Sequence, residues 1–375
     1  MSNALEKPLT VVQILPRLEG GGIERGTLEL ADALVKAGHR SIVISGGGRL
    51  EKQLKANGSE HVNYALGRKS VRSLRWVKPL RQLLRQEKVN ILHARSRMSA
   101  WVSWCAWRGM RPANRPRFVT TVHGDYAVNG YSAIMSRGEI VIAISDFVRQ
   151  YIQENYPATE YDRIRVVHRG ADSRDFPYRY QPPQSWYRSW YKQYPMLRNR
   201  RVIVLSGRLM PLKGHDDFLR LLAALKSRGH EIHGLIVGDS PSARKQYVSS
   251  LREKIDQLGL RHHVTLTGCR HDIRDVVAAS NIVLSLAQEP ESFGRSVLEA
   301  LYMGVPVVGY DYGGVSEILQ TMFPEGAVQP KDHSALLTCI ERVLRESCDC
   351  VPRPRGFRLS DTIDKTFRIY EELAA

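Results

Sequence analysis

The chain has 375 residues, of which 43% are hydrophobic and 25% charged. That length is too great for one ordinary core, and the mix is that of a globular protein built from two α/β domains. Lys plus Arg number 55 and Asp plus Glu 38, a formal charge of +17 that calls for a polyanionic partner: nucleic acid, an anionic membrane or a phosphorylated substrate. The five cysteines, at 105, 269, 339, 348 and 350, show neither a disulfide framework nor zinc spacing. Cys348-Asp-Cys350 reads as incidental, and the expected compartment is reducing cytosol. The segment MSNALEKPLTVVQILP lacks the apolar core of a signal peptide. No stretch offers the ~18 apolar residues of a membrane span, so any membrane contact is expected to be peripheral.

In chain order, Thr10 to Leu15 reads as a short buried strand, followed by the run Gly20-Gly21-Gly22. Ile23, Leu28, Leu30, Ala31, Leu34 and Val35 then recur at helical spacing up to Gly38, and Ser41 to Ser45 forms the next strand. This β–loop–α–β order is the unit of a parallel sheet. Strands follow at 90–94, 118–123, 139–145 and 163–168, with a helix after Ser145, whose hydroxyl suits an N-cap. Residues 173–200, rich in Pro, Tyr and Arg, read as an interdomain linker carrying one short helix. The rhythm restarts with strands at RVIVLSGR, HGLIVGD, HVTLTG, NIVLSLA and VPVVGY, separated by helices, the second of which is read from Ser242. The expected division is a first domain over 1–172, the linker over 173–200, a second domain over 201–350 and a C-terminal helical segment over 351–375 packing back toward the first domain. Both domains are expected to be doubly wound and Rossmann-like, with ligand at the carboxyl ends of the strands and between the domains.

Three motifs carry chemistry. The run Gln288-Glu289-Pro290-Glu291-Ser292-Phe293-Gly294-Arg295-Ser296-Val297-Leu298-Glu299 takes a strand through an acidic turn into a helix expected to begin at Phe293-Gly294. Free N–H groups at such a helix start suit sugar hydroxyls, and Glu299, two helical turns past Glu291 and expected on the same face, suits a ribose diol. Arg208 and Lys213 lie on a strand-to-helix turn after Gly207, where a planar fork and a compact ammonium suit a diphosphate. Gly21 and Gly22 let the backbone approach a phosphate or sugar at a helix N-terminus. Arg25 stands where a dinucleotide fingerprint counted from Gly20 needs glycine, which disfavours an oxidoreductase.

In that order, Pro16 to Glu24, the turn Ser206 to Gly214 (SGRLMPLKG) and the E-x7-E run from Glu291 to Glu299 resemble the motifs of the retaining GT-B glycosyltransferases of family 4, over essentially the whole chain. The resemblance implies a GT-B fold with two Rossmann-like domains, and transfer of a sugar from a nucleotide-sugar donor with retained anomeric configuration. Catalytic roles are implied for His123, Arg208, Lys213 and Glu291. Donor contacts are implied for Gly21, Gly22, Arg208, Lys213, Arg270, Ile273, Glu291, Phe293, Gly294 and Glu299. His123 ends a strand where the family places a histidine facing the donor sugar. The family's segment corresponding to Val167–Asp172 often carries Asn before Gly, where this chain has Arg169. No D-x-D sequence occurs, so neither a metal nor a cofactor is expected beyond the donor, which is expected to be UDP-linked.

The acceptor is expected on the first domain. Residues 67–88 hold eight Lys or Arg against one Glu, and Trp101, Trp104 and Trp107 recur every three residues before Arg108, Arg111, Arg115 and Arg117. These suit an anionic membrane surface and a phosphorylated glycolipid, as in assembly of the lipopolysaccharide core at the cytoplasmic face of the bacterial inner membrane. A soluble acceptor and a basic nucleic-acid-binding α/β protein are the alternatives. No nucleic-acid recognition motif is found, so nucleic acid is not an expected partner.

Overall fold

The computed structural model describes residues 8–66, 71–238, 245–346 and 351–375. Cys348, Cys350, Arg68, Lys69 and the first residues of the helix read from Ser242 lie outside them. The chain divides into two compact units: residues 1–169 with 360–375, and residues 170–359.

In the first unit the strands are β1 (Thr10–Ile14), β2 (Arg40–Ser45), β3 (Glu60–Asn63), β4 (Ile91–Ala94), β5 (Arg117–Val122), β6 (Ile140–Ala143) and β7 (Ile164–Val166). They form one parallel sheet in the order β3-β2-β1-β4-β5-β6-β7, which reverses direction between β1 and β4. A parallel sheet covered on both faces needs apolar residues on both, so Val11, Val12 and Ile14 are all wholly buried. The C-terminal helix Leu359–Ala374 closes one face: Ile369 and Tyr370 pack with Leu9, Val11, Leu30, Ile91 and Val119. Ser145 caps the helix Asp146–Asn155 by accepting the Val148 N–H at 3.1 Å.

In the second unit β8 (Arg201–Ser206), β9 (Ile232–Val237), β10 (Val264–Gly268), β11 (Ile282–Ser285), β12 (Val307–Tyr310) and β13 (Ala327–Val328) form a parallel sheet in the order β10-β9-β8-β11-β12-β13. Since all strands run the same way, every strand-to-helix turn from residues 207, 268, 286 and 311 leaves the same edge, that of the carboxyl ends. The fold is therefore two Rossmann-like doubly wound domains. Residues 173–200 pack inside the second unit instead of standing apart as a linker. The helix Gln184–Gln193 stacks Trp186 on Trp190 at 5.0 Å between centroids and Tyr187 on Tyr191 at 5.9 Å, and Trp186 Nε1 donates to Asp272 at 2.7 Å. Aromatic rings at i, i+4 share one helix face, and the buried Trp190 gives that face a reason to dock.

Among the described residues no helix is long and apolar enough to cross a membrane.

Candidate active site

The carboxyl edge of the second sheet collects most of the charged side chains singled out by the sequence. β8 passes through Gly207 and Arg208 into the single turn Pro211–Lys213, and Gly214 then opens the helix His215–Ser227. Gly214 has φ +74°, and a Cβ there would collide with the carbonyl oxygen of Leu286, so only glycine lets the turn after β8 lie against the turn after β11. The backbone N–H of Gln288 donates to Leu212 O at 2.8 Å, which ties the two turns together. Lys213 is thereby brought to Glu291: Nζ to Oε1 is 2.6 Å, with both side chains about a quarter exposed. Arg208 is exposed, and no ion pair to it is found among the described residues. Its five donors stay available to an incoming anion.

Beneath this pair lies a polar anchor that sequence reasoning missed. Asp217, buried in the first turn of the helix His215–Ser227, accepts from Tyr310 OH at 2.6 Å and Gln288 Nε2 at 2.8 Å. It links β12 and the acidic turn to the helix behind Lys213. The sequence signal was an acid in the first helical turn, which is also what simple dipole pairing would place there.

The acidic turn rests on the N-terminus of the helix Gly313–Met322, where the Gly314 N–H donates to Glu291 O at 2.7 Å. Tyr312 donates to the carbonyl of Ala287, and its phenol is pushed up to about 12 by burial and then by Glu291 and Glu289. The following helix begins at Arg295, with Gly294 at φ +95° as its N-cap. Glu291 therefore does not lie on that helix, and the expectation that Glu291 and Glu299 share a helical face is corrected: Gly294 breaks the helical phase between them. Glu299 is on the helix and holds Arg295, one turn before it, at 2.8 Å. The Phe293 ring is buried and meets Phe357 edge-on at 6.0 Å, which leaves only its backbone for a donor contact.

Arg270 does not present a free cation. It grips Asp272 through Nε at 2.8 Å and Nη2 at 2.6 Å and lies 5.2 Å over Trp190, so it fastens the helix Gln184–Gln193. The hydrogen bond to Asp272 raises its pKa. Ile273 opens the next helix and is half-buried.

In the first unit, Gly21 and Gly22 start the helix Gly22–Lys36, and His123 follows β5. Arg169 joins them: its Nη1 donates to Gly22 O and its Nη2 lies 2.7 Å from His123 Nδ1. The His123 N–H donates to Tyr126 OH at 3.2 Å. Neighbouring His93 is buried between Tyr370 OH and Thr121 Oγ1, each at 2.6 Å, and buried Arg95 donates to Gln13 at 2.9 Å. Burial, and then the cations Arg169 and Arg95, hold the His123 imidazole well below its ordinary pKa.

The tryptophan stripe is occupied within the fold. Trp101 donates to Tyr131 O at 3.0 Å, Trp107 to Pro116 O at 2.8 Å, and Arg108 covers Trp104 at 4.9 Å. Arg72, Arg75, Lys78, Arg85 and Lys88 are exposed on the neighbouring segment, whereas Arg81 is half-buried and donates to Ala106 O.

Comparison with known proteins agrees with this division. Residues 20–175 match the family model Glycosyltransferase Family 4, and residues 189–354 match Glycosyl transferases group 1. A glycosyltransferase from Rickettsia africae ESF-5 has a similar crystal structure, with TM-score 0.84 and 29% identity over 98% of each chain. HepE of Anabaena, crystallised with UDP and glucose, shares the fold, with TM-score 0.82 and 19% identity over 97% of this chain and 99% of that one. The GPI3 subunit of a phosphatidylinositol N-acetylglucosaminyltransferase from Saccharomyces cerevisiae is 27% identical over 64% of this chain and 52% of its own. The chain spans about half the length of the curated relatives it matches.

Proposed function

We propose, from the premise that this chain is a GT-B glycosyltransferase with a Glycosyltransferase Family 4 domain followed by a Glycosyl transferases group 1 domain, that it moves a sugar with retention from a UDP-sugar to a phosphorylated glycolipid. The observation that carries this reading is the contact of Lys213 with Glu291 at 2.6 Å past the carboxyl ends of β8 and β11, on the turn that also carries the exposed Arg208. Arg208 and Lys213 take the diphosphate, whose negative charge grows as the bond to the sugar breaks. Glu299 accepts the ribose hydroxyls. Glu291 aims Lys213 and offers its second oxygen to the sugar. The acceptor oxygen bonds to the anomeric carbon as the anomeric carbon–phosphate oxygen bond breaks. The acceptor's proton passes to the departing diphosphate on the same face, which retains configuration. Two cations fill the role that a metal would otherwise have beside the diphosphate.

The acceptor reading rests on the exposed cations Arg72, Arg75, Lys78, Arg85 and Lys88, each contributing on the order of 1 kcal/mol near an anionic surface. A relative named for phosphatidylinositol supports a lipid acceptor. The reaction proposed is a step in lipopolysaccharide core assembly on the cytoplasmic leaflet. The test incubates the chain with labelled UDP-, GDP- and ADP-sugars and vesicles carrying a phosphorylated core glycolipid. Label entering the lipid from a UDP-sugar supports the reading, and transfer only to soluble saccharides overturns its acceptor half. Sedimentation with anionic vesicles should weaken at high salt and in a variant with Arg72, Arg75, Lys78 and Arg85 changed to Gln. Arg81 is spared because it holds the backbone at Ala106.

A further inference from the structure

The two arms of Arg169 reach two parts of the first unit that the sequence separates widely. One arm takes the carbonyl of Gly22, and the other meets His123 Nδ1 at 2.7 Å. An arginine only donates hydrogen bonds, so Nδ1 must be the acceptor and carries no proton. The ring's proton then belongs on Nε2, and Nε2 is buried with no hydrogen-bond partner among the described residues. A buried donor left unpaired is costly, and an oxygen supplied by a ligand would relieve it. Gly22 fits the same arrangement, because a Cβ there would come within 3.3 Å of Arg169 Nη1.

We propose that Arg169 is a positioning residue that locks His123 as the Nε2–H tautomer and ties it to the glycine loop, making the imidazole a fixed hydrogen-bond donor to a sugar oxygen and not a general base. The sugar half of this statement rests on the proposed function; the tautomer half does not. With Nδ1 covered by a guanidinium and Nε2 already protonated, neither nitrogen is free to take a proton from an acceptor hydroxyl. The groups facing the ring act in the same direction: Arg169, Arg95 and His93 are cations or potential cations that oppose a charge on it, and Tyr126 contributes a hydroxyl to its backbone. Arg95 is itself buried and donates to Gln13.

The test is nitrogen-15 imidazole spectroscopy of the nucleotide-free full chain, with the His123 signal assigned among 12 histidines by its loss in His123→Gln. The wild type should show a bare Nδ1 and a protonated Nε2 throughout pH 6–8, with no titration in that interval. Arg169→Met should mix the tautomers and bring the titration up toward the ordinary histidine range, while Arg169→Lys, which keeps one cationic donor, should hold the tautomer. In turnover with a UDP-sugar, Arg169→Met should lower kcat by about tenfold with little change in donor KM. A wild-type ring protonated on Nδ1, or one that titrates normally, overturns the lock even if Arg169→Met fails to fold. A mixed or titrating ring in Arg169→Lys, or an unchanged ring in a folded Arg169→Met, overturns it as well. If the lock is seen but no nucleotide sugar is turned over, the functional reading falls and the lock stands.

Discussion

The two carboxyl edges solve different electrostatic problems. At the second sheet, three acids are each held by a base: Glu291 by Lys213 at 2.6 Å, Glu299 by Arg295 at 2.8 Å and Asp272 by Arg270. At the first sheet, His93 and His123 are kept neutral by burial beside the cations Arg95 and Arg169. An edge of paired charges is ready for a charged ligand, because a diphosphate replaces one partner by another. The neutral imidazoles suit an uncharged ligand, whose hydroxyls need direction more than charge. The division teaches that net charge, +17 over the chain, says little about what any one site recognises.

The comparison is tested most severely at the cations of the second edge. Lys213→Ala and Arg208→Ala should each lower kcat by about 10²–10³ while the fold persists, as loss of a charge-stabilising donor does elsewhere. Near-normal kcat in both variants would remove the diphosphate role. A smaller effect is expected beneath the site. Asp217→Ala removes the carboxylate acceptor of the buried Tyr310 hydroxyl, while the Gln288 amide keeps the Leu286 carbonyl at 3.0 Å, and should lower unfolding free energy by about 1–3 kcal/mol in denaturant melts. An unchanged midpoint would show that the anchor is dispensable.

The first edge should answer to pH. The His93 imidazole is held well below its ordinary value by burial and then by Arg95. Between its folded pKa and the unfolded value of about 6.5, the unfolded chain binds the extra proton, so stability falls as pH drops through that window. From pH 6.5 to 5 the loss is at most about 2 kcal/mol for this one ring. It should appear as a lower opening free energy of the amides in β4 and β5, once exchange is corrected for the intrinsic rate at each pH, and should be reduced in His93→Gln. An opening free energy independent of pH over that window would contradict a buried neutral ring. The least effect is expected from a chelator: activity should persist in excess EDTA, and its complete loss would contradict the assignment of the diphosphate to Arg208 and Lys213.

Much of the sheet architecture was legible in the sequence because buried parallel strands are written as short apolar runs, as in TVVQI and RVIVLS. The helix Gly313–Met322 was not, because Asp311-Tyr312-Gly313-Gly314 reads as a turn. There the two glycines give the acidic turn room to lie against the helix start, a contact between segments about 20 residues apart. Residues 173–200 resembled a linker because Pro and Tyr break strand alternation, yet their rings stack and dock through Trp186 and Trp190. In the site, the spacing of Glu291 and Glu299 was visible but its helical reading was not sound, since Gly294 separates a turn from a helix. Arg169 was visible only as a departure from a pattern; its bridge between Gly22 and His123 is a tertiary hydrogen bond, which no local periodicity encodes.

The central claim, that the carboxyl edge of the second sheet holds the nucleotide of a sugar donor, is tested most directly by thermal shift. Free UDP, GDP and ADP and their sugar conjugates would be titrated against the wild type and Glu299→Gln. A ligand that binds only the native state raises the melting temperature by mass action. The account predicts that uridine nucleotides raise Tm in the wild type and that Glu299→Gln, measured against its own ligand-free Tm, loses most of that rise. No shift with any nucleotide, or a shift fully retained in Glu299→Gln, would contradict it.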